Sequence, residues 1–289
     1  MSETGRIAVR KTYKLYVGGK FPRSESGRSY LVTGADGTVL ANASRSSRKD
    51  VRDAVVAARA AQKGWATATA YLRGQILYRA AEMMEGRRAQ FAEELRAAEG
   101  GSRKQAEARV DATIDRWVWY AGWADKVPQV LGNGNPVAGP YFNLSSPEPT
   151  GVVGVIAPQH APLLGLVSAI APAIVTGNTV VVIASEKMPL PAVTLGEVLA
   201  TSDFPGGVVN ILTGHTGEMA PHLASHADVN GLDLTGVDDP ELARTLEAAA
   251  ADNLKRVLRP AAEDFLAEPT LKRLRTWTET KTVWHPAGV

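Results

Sequence analysis

The sequence predicts an α/β fold with a parallel sheet, and two observations carry that reading. The first is the stretch Gly151 to Glu186, GVVGVIAPQHAPLLGLVSAIAPAIVTGNTVVVIASE. It holds a short apolar run (Val152–Ala157), an apolar segment with helical spacing (Leu163–Val175), a turn at Thr176-Gly177-Asn178 and a β-branched run (Thr179–Ile183). Strand, helix, turn and strand make a βαβ unit. Neither strand alternates with polar residues, as expected where both sheet faces are covered. The second observation is that strand and helix patterns go on alternating downstream, which implies right-handed crossovers. No charge occurs between Ala161 and Ser185, a length that raises the question of a membrane span. Pro172, Gly177 and Asn178 argue against one continuous helix there.

The elements follow in order. Tyr13–Phe21, YKLYVGGKF, reads as a small hairpin with Gly18-Gly19 at its turn. Residues 25–45, rich in Gly and Ser, read as strand and loop. Ser47 opens a helix through Val51, Ala54, Val55 and Ala58 towards Trp65, with Asp50 as the capping-box acid. Tyr71–Met84 and Ala89–Ala98 are further helices. Lys104–Ala124 is a long one, with Val110, Ile114, Trp117, Val118 and Ala121 on one stripe and Trp119 and Trp123 beside it as packing residues. Gly132–Pro149 is a break rich in Gly, Pro and Asn, with a strand expected at Tyr141–Leu144. After the βαβ unit come a helix at Leu190–Thr201, a strand at Gly206–Leu212, a helix at Glu218–Ser225 and a strand at Gly231–Thr235. A helix at Pro240–Ala251 and a fifth strand at Lys255–Leu258 complete the pattern. From Ala261 it is lost, until Leu274–Pro286, LRTWTETKTVWHP, alternates as an exposed strand. Such an edge is usually paired, often with another subunit.

Composition sets further bounds. The 289 residues can bury a real core, and a net charge of +2 with mixed signs gives no footprint for nucleic acid or an anionic membrane. The start, MSETGRIAVRKTYK, lacks the apolar core of a secretory signal. There is no cysteine, so disulfides, thiolate metal sites and thiol nucleophiles are excluded within this sequence. A cytoplasmic location is the expectation.

An ordered series of segments then resembles the aldehyde dehydrogenase superfamily. YKLYVGGKF, KDVRDAVVAARAAQKGW, YLRGQILYRAAEMME and WYAGWADK match its N-terminal hairpin and first helices. PTGVVGVIAP, APAIVTGNTVVV, FPGGVVNILTG and NLKRV match its nucleotide-domain landmarks, and ETKTVW matches its C-terminal strand. The resemblance implies a Rossmann-like NAD domain, here residues 1–135 and 151–262, with N-terminal helices. It also implies a β-arm for oligomerisation, here 136–150 and 271–289. The family's catalytic domain should follow Val257, but the tail comes within a few residues, so that domain is expected to be absent.

In the family a Cys thiolate attacks the aldehyde, hydride passes to NAD, a Glu-activated water hydrolyses the thioester and an Asn holds the oxyanion. The resemblance puts His160 at the Asn position and Pro260 at the Glu position, so no catalytic residue is expected. Glu263 lies nearby but out of register. For the cofactor, the resemblance points to Ile156, Ala157, Ser185, Glu186, Gly217, Thr235 and Gly236. Glu186 can accept bonds from ribose hydroxyls, or it and Ser185 can cap a helix start. Ile183 stands where the family has a cation. Val237, Asp238 and Asp239 follow Gly236, where the family places pyrophosphate at a helix N-terminus. Two carboxylates there satisfy the helix and repel phosphate, which predicts weak NAD binding. His222 and His226, four apart, have a spacing open to metal, but the Glu of a zinc-protease motif is missing, and no metal is expected.

These observations favour an inactive homologue that partners a full-length aldehyde dehydrogenase subunit in a hetero-oligomer, or pairs with itself through the C-terminal strand. An NAD(H)-binding auxiliary or sensor is the alternative. An aldehyde oxidoreductase working by a non-thiol route ranks below both.

Overall fold

A computed structural model of the chain describes residues 11–288. Strand β1 (Thr12–Tyr13) runs parallel to β3 (Val39–Ser44), and β2 (Ser29–Thr33) pairs antiparallel with β3. The hairpin expected at Tyr13–Phe21 is reduced to its turn. Gly18 and Gly19 take the positive φ that such a turn demands, and Val17 and Lys20 exchange backbone hydrogen bonds. Its arms pair elsewhere: Tyr13 with Ala43, and Tyr16 with Ile211 far along the chain.

Helices α1 (Arg48–Thr67), α2 (Ala70–Glu85), α3 (Arg88–Glu99), α4 (Arg103–Ala121) and α5 (Val127–Leu131) follow. The expected capping box forms: Ser47 Oγ accepts from the Asp50 amide, and Asp50 Oδ2 accepts from the Ser47 amide at 2.8 Å. The apolar faces of α2, α3 and α4 meet through Leu77, Met84, Phe91, Leu95, Val110 and Trp117, all buried. Trp119 and Trp123 lie half-buried against this core.

Strands β4 (Asn133–Asn135) and β5 (Tyr141–Pro149) come next. The strand expected at Tyr141–Leu144 runs five residues further, because a partner strand described below extends the ladder.

The central sheet is built from β6 (Val152–Ile156), α6 (Leu164–Val175), β7 (Thr179–Ile183), α7 (Leu190–Leu199), β8 (Val209–Leu212), α8 (Thr216–Ser225), β9 (Gly231–Asp233), α9 (Pro240–Ala251) and β10 (Arg256–Leu258). Its order is β10-β9-β6-β7-β8, and every pairing is parallel. Every residue of β6, α6 and β7 is buried, which explains the uncharged run. No helix among the described residues is long and apolar enough to cross a membrane. Strand β8 starts at Val209 rather than Gly206, since Gly206 lies against the backbone of Gly18. Strand β9 stops at Asp233, whose Oδ1 accepts from the Thr235 amide and breaks the ladder. The chain order reverses at β6, so the crevice at the carboxyl ends of β6 and β9 is the topological switch point of the sheet.

The tail corrects the expected strand from Leu274. Residues Lys272–Thr276 form α10, with Leu274 and Trp277 buried in the main core, and β11 begins only at Thr278 and ends at Pro286. The alternation that suggested a longer strand is broken by this burial. Strand β11 pairs antiparallel with β5 from Thr278↔Pro149 to Pro286↔Tyr141, in a sheet of order β11-β5-β4. The strand therefore finds one partner inside its own chain, and its outer edge is unpaired among the described residues. The register places Phe142, Leu144 and Val283 on one face, all exposed, and Tyr141 and Trp284 on the other, with ring centroids 5.8 Å apart.

Candidate functional site

The switch-point crevice gathers most of the residues that the sequence singles out. Ile156 and Ala157, at the end of β6, are buried. The Gly236 amide donates to Ile156 O at 3.0 Å, and a Cβ on Gly236 would lie 1.9 Å from Ala157 O. Only glycine permits this contact, and it closes the base of the crevice. Thr235 turns inward: its amide and Oγ1 both donate to Asp233 Oδ1, at 3.0 and 2.5 Å.

Beyond β7, Ser185 Oγ donates to Gln159 O at 3.1 Å and accepts from the Met188 amide at 3.2 Å. Gln159 ties the β6 and β7 ends together: its Nε2 donates to Ala157 O at 2.8 Å, and its Oε1 accepts from the Glu186 amide at 2.9 Å. Glu186 is committed at both oxygens. Oε1 lies 2.6 Å from His215 Nδ1, and Oε2 accepts from the Thr216 amide at 3.0 Å. Thr216 is the first residue of α8, so Glu186 caps that helix from another loop. Tyr30 donates through its hydroxyl to Glu186 O at 3.2 Å and packs on the His215 ring, centroid to centroid 5.6 Å. Gly217 is exposed one residue further on, and a Cβ there would meet nothing within 4 Å.

The next helix start repeats the pattern. Asp239 Oδ1 accepts from the Glu241 amide at 2.9 Å, Val237 is buried and Asp238 projects into solvent. Both helix N-termini that flank the crevice, α8 and α9, are thus occupied by carboxylates of this chain. Ile183 is fully buried and brings no cation. A dinucleotide pyrophosphate needs free amide donors and an absence of negative charge at such a helix start. These residues do not fit one.

At the positions expected for catalysis, His160 is exposed, with Nε2 3.8 Å from Asp238 Oδ1. Pro260 is half-buried and carries no acid–base group. Glu263 accepts from Arg273 Nη2 at 2.7 Å, so it is tied in an ion pair rather than poised as a base. His226 ends α8 and accepts from the Asp228 amide through Nδ1. Among the described residues no group of three His, Asp or Glu is arranged to hold a metal ion. Sequence reading missed Gln159 and His215. Their only signal is position: each is a polar residue a few places beyond a buried strand, where α/β folds present side chains.

Comparison with known proteins adds a second line. A family model described as "Aldehyde dehydrogenase family" matches residues 21–259. Retinal dehydrogenase 2 of Homo sapiens is 35% identical over 263 residues, covering 89% of this chain and 49% of that protein. "Aldehyde dehydrogenase, cytosolic 1" of Elephantulus edwardii is 36% identical over 258 residues, covering 87% and 50%. Among solved structures, HpcC from Thermus thermophilus superposes with a TM-score of 0.81 at 31% identity, covering 86% of this chain and 47% of that one. The NAD+ complex of an aldehyde dehydrogenase from Bacillus cereus gives 0.80 at 27%, covering 86% and 50%. The chain spans about half the length of the relatives it matches.

Proposed function

Because the chain belongs to the aldehyde dehydrogenase family, we propose that it is a catalytically inactive member, acting as a structural or regulatory partner of a full-length NAD(P)-dependent aldehyde dehydrogenase subunit. One observation carries this reading. In a chain of 289 residues with no cysteine, the β4-β5-β11 sheet stands out with an edge unpaired among the described residues and exposed Phe142, Leu144, Val283 and Trp284. An open edge with apolar side chains on both faces is a template for strand addition, and a chain that leaves one open has a use for it or aggregates. The neighbouring chemistry supports the inactive half of the reading. His160 and Pro260 stand at the positions of the oxyanion donor and the base, and neither the exposed imidazole nor the ring nitrogen has a thiol to serve.

The chain is tagged and purified from its source cell, and the complex is weighed by native mass spectrometry. A hetero-oligomer with a full-length aldehyde dehydrogenase supports the proposal; recovery of a homodimer or a monomer alone contradicts it. The isolated chain is then assayed for NAD-dependent oxidation of short aldehydes, with no turnover expected.

A second reading, an NAD(H)-binding auxiliary, rests on Glu186, a carboxylate at the end of a central strand and within the crevice. Its capping of α8 works against it. Titration of the purified chain with NADH, followed by fluorescence, separates the two: saturation in the micromolar range supports the auxiliary, and no saturation at millimolar concentration removes it.

A further inference from the structure

A cavity of about 300 Å³ lies between α4, the end of β10 and residues 259–273. It borders the switch-point crevice through Thr235, and its wall includes the Glu263–Arg273 pair, but its interior has been given no role above. Two side chains in its wall are almost completely buried and yet incompletely bonded. Arg116 is 7 % exposed. Its Nη1 donates to Ser168 Oγ at 3.0 Å, and its Nη2 to Phe265 O at 2.7 Å and Ala267 O at 2.9 Å. All three acceptors are neutral. No carboxylate among the described residues lies within ion-pair distance of this guanidinium, and burial pulls it below the usual arginine value. Three of its five donors are thus used, leaving Nε and one hydrogen on Nη1. Tyr120 is 2 % exposed, lines the same cavity, and has no hydrogen-bond partner for its hydroxyl among the described residues. Burial pushes that phenol up to about 12, so at neutral pH it is a neutral donor.

The other buried cation of the wall, Arg273, is already neutralised by Asp233 and Glu263. Among the described residues, Arg116 is thus a buried cation of the wall with no carboxylate in ion-pair contact, Glu263 acting on it only from further away, and the Tyr120 phenol beside it has no hydrogen-bond partner. Burying an unpaired charge is expensive, and an anion drawn from solvent would relieve the expense.

We propose that this cavity binds a small monoanion, specifically a short-chain carboxylate held by Arg116 and Tyr120. A guanidinium presents parallel donors that match the two oxygens of a carboxylate. The volume suits a molecule of a few heavy atoms, and Leu258, Ala261, Ala262 and Pro269 supply an apolar wall for a short hydrocarbon chain. Glu263, Asp264 and Glu268 also line the cavity. They disfavour a dianion more strongly than a monoanion, which sets carboxylate above phosphate.

The test is calorimetric titration of the full chain with sodium propionate and, separately, with inorganic phosphate. Propionate is expected to bind saturably at or below millimolar concentration, and phosphate at least tenfold more weakly. Arg116→Gln is expected to weaken propionate binding at least tenfold. Arg116 also holds the 265–267 backbone, so Tyr120→Phe, which removes only an unpartnered hydroxyl, keeps the test independent of folding; a several-fold loss is expected there. Absence of saturable propionate binding to the folded chain overturns the site. Phosphate binding tighter than propionate overturns the carboxylate assignment. Propionate binding unchanged in Tyr120→Phe removes the phenol from it, and binding unchanged in both variants overturns the location.

Discussion

Asp233 is fully buried at the end of β9, and Arg273 of α10 ion-pairs with its Oδ2 while also bonding Thr235 Oγ1 and Glu263. The attraction of such a buried pair is largely offset by desolvation, but removing one partner strands the other. Arg273→Met is therefore expected to lower unfolding free energy by about 3–5 kcal/mol. Arg259→Met, which breaks an exposed pair with Glu247, is expected to cost under about 1 kcal/mol. Urea denaturation of both variants checks the contrast. Glu94 supplies a pH-dependent term. Burial holds its carboxyl above the usual carboxylate range, only partly offset by bonds from Thr194, Gln90 and Tyr13, and its Oε2 is buried without a partner among the described residues. An acid raised in the folded state favours folding in its protonated form. That contribution is fully present below the unfolded value and is lost as pH rises through the folded one. Glu94→Gln is expected to stabilise the chain by about 1 kcal/mol at pH 8 and to make no such gain at pH 4, read from thermal midpoints across that range. A wild-type midpoint that rises relative to Glu94→Gln between pH 5 and 8 contradicts this. Neither residue was legible in the sequence. Helical spacing says which face of α3 is buried, but not which strand end or loop lies opposite; α10 carries no helical pattern long enough to read, and Asp233 and Arg273 are forty residues apart.

Elements whose signals are local were legible, and those set by distant partners were not. Ser47 and Asp50 announce the start of α1 because both capping bonds lie within one turn. The buried runs of β6 and β7 and the helix between them need only their own apolarity. By contrast, β4 has two asparagines, Asn133 and Asn135, around Gly134, and is held where Asn135 Nδ2 reaches Asn143 Oδ1 and Ser145 Oγ on β5, at 2.6 and 2.8 Å. Strand β5 runs to Pro149 only because β11 returns to pair with it. The arm also yields the prediction that belongs to this scale. Leu144→Lys with Trp284→Ser places one polar substitution on each face of β5-β11, at exposed positions. The stability of the isolated chain should move by no more than about 0.5 kcal/mol. Recovery of a full-length dehydrogenase subunit in pull-down should fall severalfold. Undiminished recovery with an intact fold shows that the arm is not the contact surface.

At the scale of the molecule, the tail is part of the core and not an appendage to it. The alternating order of strands and helices made the central sheet legible from sequence, but nothing in that order revealed that the segment after β10 folds back over it. The Trp277 ring lies on the backbone of β9, so close that a Cβ at Gly231 would come within 2.7 Å of it. The Trp277 carbonyl accepts from Asn178 Nδ2 at 2.8 Å, joining the tail to the turn before β7, and Arg256 reaches the carbonyls of Thr276 and Thr278 at 2.9 and 2.6 Å. Arg116 holds the backbone of Phe265 and Ala267, and β11 completes the arm sheet. A chain ended after Leu258 would thus lose the partner of Asp233, an acceptor of Asn178, two acceptors of Arg116 and the cover of Gly231 together. Each loss leaves a buried polar group short of a partner or opens a void, and together they are comparable to the roughly 5–15 kcal/mol by which a domain is stable. Residues 1–258 are therefore expected to show no cooperative urea transition and a weak near-ultraviolet circular dichroism signal, while the 289-residue chain unfolds in one step. A truncated chain with the midpoint and slope of the full one shows instead that the sheet and its helices are complete without the tail.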